Sequence, residues 1–228
     1  MKNKKRRTEP ILISYITLQR VIGILGITFP FIMIIGSICC GGCSEIQSSI
    51  SAYYHTNMRN IFIGYLCTMA LFLFAYKGYE SKDDIAGNLA SFFAFGVVFF
   101  PTSIVDTFTR CIPYRIDNPI FHNIHIFCAA GFLLTLAYFS LFLFTIKDKN
   151  KKTTKMKKRR NVLYKVVGII MLSCIFLIFI YLASHNCGHL QDLKKYKPVF
   201  WLETIALCSF GVSWLIKGKT LLTDKKDK

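Results

Sequence analysis

The chain has 228 residues, of which 53% are hydrophobic and 18% are charged, and its formal net charge is +17. The low share of charged residues, together with 21 Phe, argues against a soluble domain. The apolar content also excludes a disordered basic tail, which would be poor in hydrophobic residues. The composition therefore indicates a membrane protein whose basic residues lie at the edges of its apolar segments.

The apolar residues are gathered in six blocks rather than spread along the chain. A helix of about 20 apolar residues crosses a hydrocarbon core of about 30 Å. Lipid offers the backbone no hydrogen-bond partners, so each block is expected to be a helix. The sequence predicts an all-α integral membrane fold, a bundle of six transmembrane helices that forms one domain over residues 1–228. The predicted spans are residues 21–38, 58–76, 85–105, 120–146, 162–184 and 199–216.

The basic residues predict the orientation of this bundle. If both termini are cytoplasmic, all but six of the 29 Lys and Arg residues fall on the cytoplasmic side, many of them in the basic loop 147–161. The positive-inside rule counts Lys and Arg in short loops, and every loop between these spans is short. This pattern is typical of a multi-pass protein of the bacterial inner (plasma) membrane. The six residues on the outer side are Arg59, Arg110, Arg115, Lys194, Lys195 and Lys197.

Two basic runs, residues 1–7 and 147–160, raise the question of nucleic-acid binding. Both lack interleaved aromatic residues and lie directly beside predicted spans. Such runs are typical of topology determinants that contact anionic lipid headgroups. We therefore expect membrane lipids as partners and no nucleic acid, and the sequence indicates nothing about protein partners.

In this topology every histidine falls on the outer side. His122 and His125 are three residues apart at the start of the fourth span, so they share a helix face. His55 lies just before the second span, and Asp106 follows the third. Three imidazoles and a carboxylate would suit zinc with an exchangeable water, which is the chemistry of metal-assisted hydrolysis. The alternative is that these are ordinary residues of the membrane interface.

The same residues carry a resemblance to a known group of proteins. Ser51-x-x-x-His55 near one membrane surface, then Asp106, then the pair His122 and His125 resembles the CREST superfamily of alkaline ceramidases and progestin/adiponectin-type receptors. The resemblance implies a zinc-dependent hydrolase acting on a lipid or lipid-linked substrate. The superfamily has seven helices and a histidine pair spaced i,i+4, whereas this chain has six predicted spans and i,i+3 spacing. Residues 48–64, 88–101 and 198–207 also resemble a family of uncharacterised small bacterial membrane proteins.

A carboxylate lies at membrane depth in the sixth span. Glu203 is expensive to bury in lipid unless it is paired or protonated, so it is a candidate functional residue. Arg59 and His125, at similar depth, are candidate partners, and an ion pair that only locks the helices is the alternative. We predict an outward-facing polar pocket. Its predicted catalytic residues are His55, Asp106 and Glu203, and its predicted binding residues are Ser51, Tyr53, Tyr54 and Arg59.

Cysteines supply a further candidate site. Cys40-Gly-Gly-Cys43 is a C-x-x-C motif at the outer end of the first span. Such a motif performs thiol–disulfide exchange when a second cysteine pair, here Cys111 and Cys187, is available. A structural disulfide is the alternative. The sequence thus leaves three functions open: a metal-dependent hydrolase, a thiol–disulfide oxidoreductase using Cys40 and Cys43, and a non-catalytic binding or assembly protein.

Overall fold

The computed structural model describes residues 3–78, 81–103, 111–146, 154–186 and 191–222. This part of the chain is helical and contains no strand, which confirms the predicted all-α class. Its α-helices are α1 (Asn3–Cys39), α2 (Arg59–Ala75), α3 (Ser81–Phe99), α4 (Pro119–Tyr138, continued by a π-helical turn Phe139–Leu143), α5 (Lys155–Asn186) and α6 (Pro198–Lys217).

Four segments in the described part of the chain are helical, long and apolar enough to cross a membrane. They are Tyr15–Cys39, Pro119–Leu143, Lys155–Ser184 and Pro198–Lys217. Helix α2 is apolar but shorter, and α3 carries Lys82, Asp83 and Asp84 in its first turn. These four segments confirm the membrane-protein class that the composition predicts.

The helix boundaries follow local sequence signals. Pro198 occupies the first turn of α6, where the missing N–H costs no hydrogen bond. Asn118 caps α4, and its side chain accepts from the backbone N–H of Ile120 at 2.9 Å. Helix α3 ends at Phe99, before the end of the predicted span 85–105, because Pro101 lacks the N–H that a further helical turn requires.

Each helix packs on its neighbours in sequence, and α6 closes the bundle on α1. The contact between α4 and α5 is much smaller than that between α5 and α6. We call the end where α1 ends and α2 begins the histidine end, and the opposite end the basic end. At the basic end Arg20 Nε donates to the carbonyl of Gly218 at 2.8 Å, and Lys157 Nζ donates to that of Phe144 at 3.0 Å.

An aromatic core fills the bundle next to the basic end. The ring of Trp214 is fully buried, and four other aromatic rings surround it with centroid distances of 4.8 to 5.7 Å. Offset and edge-to-face contacts of this kind add to the stabilisation from buried area. This end is therefore tightly packed, and space for a ligand lies elsewhere. The surrounding rings are those of Tyr76, Phe139, Phe144 and Phe210.

Candidate functional site

A disulfide ties two loops together at the histidine end. Cys43 is bonded to Cys111, with their Cα atoms 5.4 Å apart, while Cys40 is an exposed free thiol. The sequence left the disulfide pairing open, and in the structure the partner of Cys43 is Cys111 and not Cys40. The chain turns at Gly42, whose φ is 65°, and Cys43 beyond the turn is only 2% exposed, so it faces the packed interior where Cys111 lies. Cys187, considered for the same chemistry, lies outside the described residues.

His55 is a buried cross-link between loops. Its ring is 1% exposed, with Nε2 2.7 Å from the carbonyl oxygen of Thr102 and Nδ1 2.9 Å from that of Tyr114. The backbone N–H of Tyr114 also donates to the carbonyl of His55 at 3.2 Å. Carbonyl oxygens only accept, so a ring nitrogen that hydrogen-bonds to one of them does so as the donor, and the neutral ring has one N–H to give. A nitrogen in that role has no lone pair to give a metal ion.

Arg59 is held by two tyrosines rather than by Glu203. Its guanidinium lies 4.6 Å from the ring centroid of Tyr54 and 5.2 Å from that of Tyr114. Its Nη2 also donates to the Tyr54 hydroxyl at 2.8 Å. These contacts combine cation–π attraction with a charged hydrogen bond. The arginine therefore helps to hold the loop of Tyr114 against the bundle.

Tyr53 has a similar structural role. It is fully buried against Phe200, with ring centroids 6.2 Å apart. Burial raises the pKa of its hydroxyl above the ordinary tyrosine value, so the phenol stays neutral. Of the residues predicted to bind a ligand, Tyr53, Tyr54 and Arg59 do not line the cavity described next.

A cavity of about 660 Å³ lies between α4, α5 and α6 at the histidine end. Its size falls within the range of ligand-binding pockets, roughly 300–1,000 Å³. Four predicted site residues line it: Ser51, His122, His125 and Glu203. His55 does not line the cavity, but its ring contacts the carbonyl oxygen of Thr102, which does. Asp106 lies outside the described residues. The remaining polar lining consists of Ser48, Ser49, Thr102, Ser103, Tyr181, Lys194 and Lys197.

The two histidines of α4 have opposite hydrogen-bonding roles. Nδ1 of His122 accepts from the backbone N–H of Ser103 at 3.1 Å, so in the neutral ring Nε2 carries the proton. Nδ1 of His125 lies 2.8 Å from the carbonyl oxygen of Phe100 and donates to it, so in the neutral ring Nε2 keeps a lone pair. The polar end of the cavity thus has one imidazole donor and one imidazole acceptor.

Charged groups of both signs line the same end. Glu203 Oε2 accepts from the backbone N–H of Ile50 at 2.6 Å, which ties α6 to the segment before the 3₁₀ helix Ser51–His55. Lys194 and Lys197 line the cavity at the start of α6. Lys197 has a left-handed backbone, with φ of 52°, a conformation that is uncommon for residues with a Cβ. The polar end is therefore not simply acidic or basic.

Away from its polar end the cavity becomes an apolar cleft between α4 and α5. On α5 the lining runs from Leu172 to Leu182, about 15 Å of helix. That length is about half of a hydrocarbon core of about 30 Å. Leu134, Phe176 and Phe179 at the edges of the cleft are 47%, 62% and 68% exposed, so the cleft opens sideways onto the surface of the bundle. A ligand can therefore enter from the side of the bundle.

Sequence reasoning missed this cleft and its lysines. From the sequence, Lys194 and Lys197 were predicted only to lie on the outer side of the membrane. The small neighbours Ala129 and Ala130 of α4, which leave room in the cleft, were a usable signal. Whether these small residues leave space for a ligand depends on which helix faces them. The hydropathy pattern does not show which helix that is. The apolar lining comprises Ile126, Ala129, Ala130, Leu133, Leu134, Leu172, Ile175, Phe176, Ile178, Phe179, Leu182, Pro198 and Val199.

The predicted zinc ligands do not form a common set in this arrangement. Within the described ranges, no three side chains of His, Cys, Asp or Glu are grouped so that they could hold a metal ion. Both ring nitrogens of His55 face carbonyl oxygens, which leaves His122 and His125 of the three predicted imidazoles. Zinc stays a prediction from sequence.

Comparison with known proteins adds no assignment. The chain matches no protein-family model, no curated protein and no solved structure. The resemblance to the CREST superfamily therefore stays a prediction.

Proposed function

We propose that this chain is an integral membrane protein that binds an amphiphilic, lipid-type ligand in the cavity between α4, α5 and α6. The observation that supports it is the division of one cavity into a polar end and an apolar cleft with exposed edges. A soluble metabolite would leave the cleft unfilled, whereas the acyl chain of a lipid fills it and makes van der Waals contacts with its apolar lining. The ligand headgroup then lies among the polar side chains.

We further propose that all six helices cross the membrane, with the basic end cytoplasmic, in the inner membrane of a bacterium. The even number of spans places both termini on the basic side, as the distribution of Lys and Arg requires. The cleft then occupies the outer half of the hydrocarbon core. A bound acyl chain lies parallel to the chains of the outer leaflet, and its headgroup lies at the outer interface.

Filling the cleft is expected to weaken lipid binding. Ala130→Trp places a large ring in the lining of the cleft, and we expect it to weaken the affinity for a fluorescent single-chain phospholipid by at least about tenfold. The binding is measured by fluorescence titration of the detergent-purified protein. Native mass spectrometry of the same protein reports lipid that co-purifies from the membrane.

The matched control is Ala183→Trp. Ala183 lies on α5, is exposed and does not line the cavity, so this variant adds the same ring to the lipid-facing surface. We expect it to bind like the unmodified chain. Equal titrations for both tryptophan variants and the unmodified chain would show that the lipid sits elsewhere.

A second candidate function is hydrolysis of the same amphiphile. The contact of His125 with Phe100 favours it, because the neutral ring keeps an unprotonated Nε2, which a general base needs. In this reaction water attacks the ester carbonyl of the lipid and gives up a proton to His125. The ester C–O bond then breaks while His125 gives the proton to the leaving oxygen, which releases a fatty acid and an alcohol.

The test is release of fatty acid from a lysophospholipid by the purified protein. We expect His125→Gln to lower the rate by about 10²- to 10⁴-fold, the usual contribution of a general base. The glutamine amide can still donate to the carbonyl of Phe100, so binding of the lipid serves as the control for folding. If the protein binds lipid but releases no fatty acid, the function is binding alone.

A further inference from the structure

Resting on the proposed lipid site, we infer that the headgroup it selects is a zwitterion, with a phosphate and an ammonium on the same lipid. The polar end carries two lysines and one carboxylate, Lys194, Lys197 and Glu203, around one cavity. A headgroup of a single charge would meet a group of like sign somewhere in this lining. A zwitterion can place each of its charges against a group of opposite sign.

The phosphate half is recognised by the donors of the polar end. Lys194 and Lys197 bring ammonium groups, and in the neutral ring His122 keeps an N–H at Nε2 because Nδ1 accepts from Ser103. Hydroxyl groups of Ser48 and Ser51 line the same region. Charge-assisted hydrogen bonds from such donors to phosphate oxygens are stronger than bonds between neutral groups.

The backbone of Lys197 is an independent sign that a lysine is useful at this position. Its φ of 52° and ψ of 52° are left-handed values at the residue that precedes α6. Glycine adopts this conformation without the steric cost that a Cβ brings. Residues held in such sparsely populated conformations are concentrated at functional sites. The long cationic side chain of Lys197 lines the cavity, where it can hold an anion.

The ammonium half is recognised by acceptors. Glu203 uses Oε2 to accept from Ile50, and its carboxyl group lines the cavity. In the neutral ring His125 keeps a lone pair on Nε2 because its Nδ1 donates to Phe100. A primary ammonium has three N–H donors, so it can bond to an acceptor of this kind. A quaternary ammonium of the same charge offers no N–H donor to either.

The test compares single-chain lipids with the same acyl chain. Lysophosphatidylethanolamine has phosphate and a primary ammonium, lysophosphatidylcholine has phosphate and a quaternary ammonium, and monoacylglycerol has neither charge. We expect the first to bind the detergent-purified protein about tenfold more tightly than the second and still more tightly than the third. Soluble O-phosphoethanolamine is the fourth probe, and we expect it to bind far more weakly because it leaves the cleft empty.

Two variants connect the preference to its residues. Glu203→Gln keeps an oxygen for the N–H of Ile50 but removes the charge, so we expect the preference for the primary over the quaternary ammonium to disappear. Lys197→Gly takes up the left-handed backbone without strain. We expect it to retain or raise the unfolding temperature while the preference for phosphate over monoacylglycerol falls about tenfold. A purely structural role of Lys197 would leave that preference unchanged.

The possible failures are distinguishable. If the three single-chain lipids bind with equal affinity, the headgroup inference is overturned and the lipid site stands. If the two phospholipids bind with equal affinity and both bind more tightly than monoacylglycerol, the site recognises the phosphate alone. The inferred recognition of the primary ammonium is then wrong. If O-phosphoethanolamine binds as tightly as its lipid, or if no lipid binds, the proposed function itself fails.

Discussion

Replacing Cys43 or Cys111 by serine is expected to lower the free energy of unfolding by about 4 kcal/mol. The two cysteines are 68 residues apart in sequence and are joined in a disulfide. Their bond restricts the unfolded chain, and the chain-entropy model assigns a loop of that length a stabilisation of this size. Thermal unfolding in detergent without reductant measures the loss, and reductant is expected to bring the unmodified chain to the same unfolding temperature.

Cys40→Ser is the matched control for this experiment. Cys40 is exposed and unbonded, and it lies three residues before Cys43, so its replacement is expected to leave the unfolding temperature unchanged. The control also tests the thiol-exchange hypothesis, which needs Cys40 as the partner of Cys43. A loss of stability in Cys40→Ser as large as that in Cys43→Ser would show that the C-x-x-C pair is the bonded one.

The cysteine pairing illustrates why part of the site was beyond sequence reasoning. A C-x-x-C motif brings two thiols close along the chain, but this local proximity does not determine whether either thiol bonds to its neighbour or to a distant cysteine. The observed partner, Cys111, is brought near by the packing of α2 and α3 between the two loops. Contacts between distant segments depend on how the helices rotate and pack, and hydropathy does not encode either directly.

The helices themselves were predictable because each depends on local composition. The span predicted at 199–216 corresponds closely to α6, and the span at 58–76 to α2. The same reasoning assigned His122, His125 and Glu203 to one end of the molecule, and they do line one cavity. The depth of a residue along a helix follows from its position in the sequence, so this depth could be predicted from the sequence.

The rotation of each helix about its own axis could not be predicted from the sequence. This rotation determines which partners the other candidate residues contact. Arg59 and Glu203 lie at similar depth, but the arginine packs on Tyr54 while the carboxylate meets the N–H of Ile50. His55 likewise turns toward carbonyl oxygens of Thr102 and Tyr114 instead of into the cavity. A charged residue near a membrane surface therefore indicates which end to examine but not which partner it has.

Gly211→Ala is expected to destabilise the bundle by about 1–3 kcal/mol, the usual cost of overfilling a packed interior. A Cβ at this position would lie 2.5 Å from the carbonyl oxygen of Gly23 and 2.9 Å from the backbone nitrogen of Ile27. Those atoms belong to the backbone of α1, so they cannot move aside as a flexible side chain can. Small residues allow this close approach of two helices, as they do in membrane bundles generally.

The same substitution at Gly64 is expected to have the opposite sign. Gly64 is exposed in the interior of α2, and a Cβ there would have nothing within 4 Å outside its own helix. Alanine in a helix interior is favoured over glycine by about 1 kcal/mol, so Gly64→Ala is expected to be neutral or stabilising. Denaturation of both variants in detergent provides the comparison. Because α1 and α6 close the bundle, equal effects at the two glycines would mean that the α1–α6 crossing is not the close backbone contact described above.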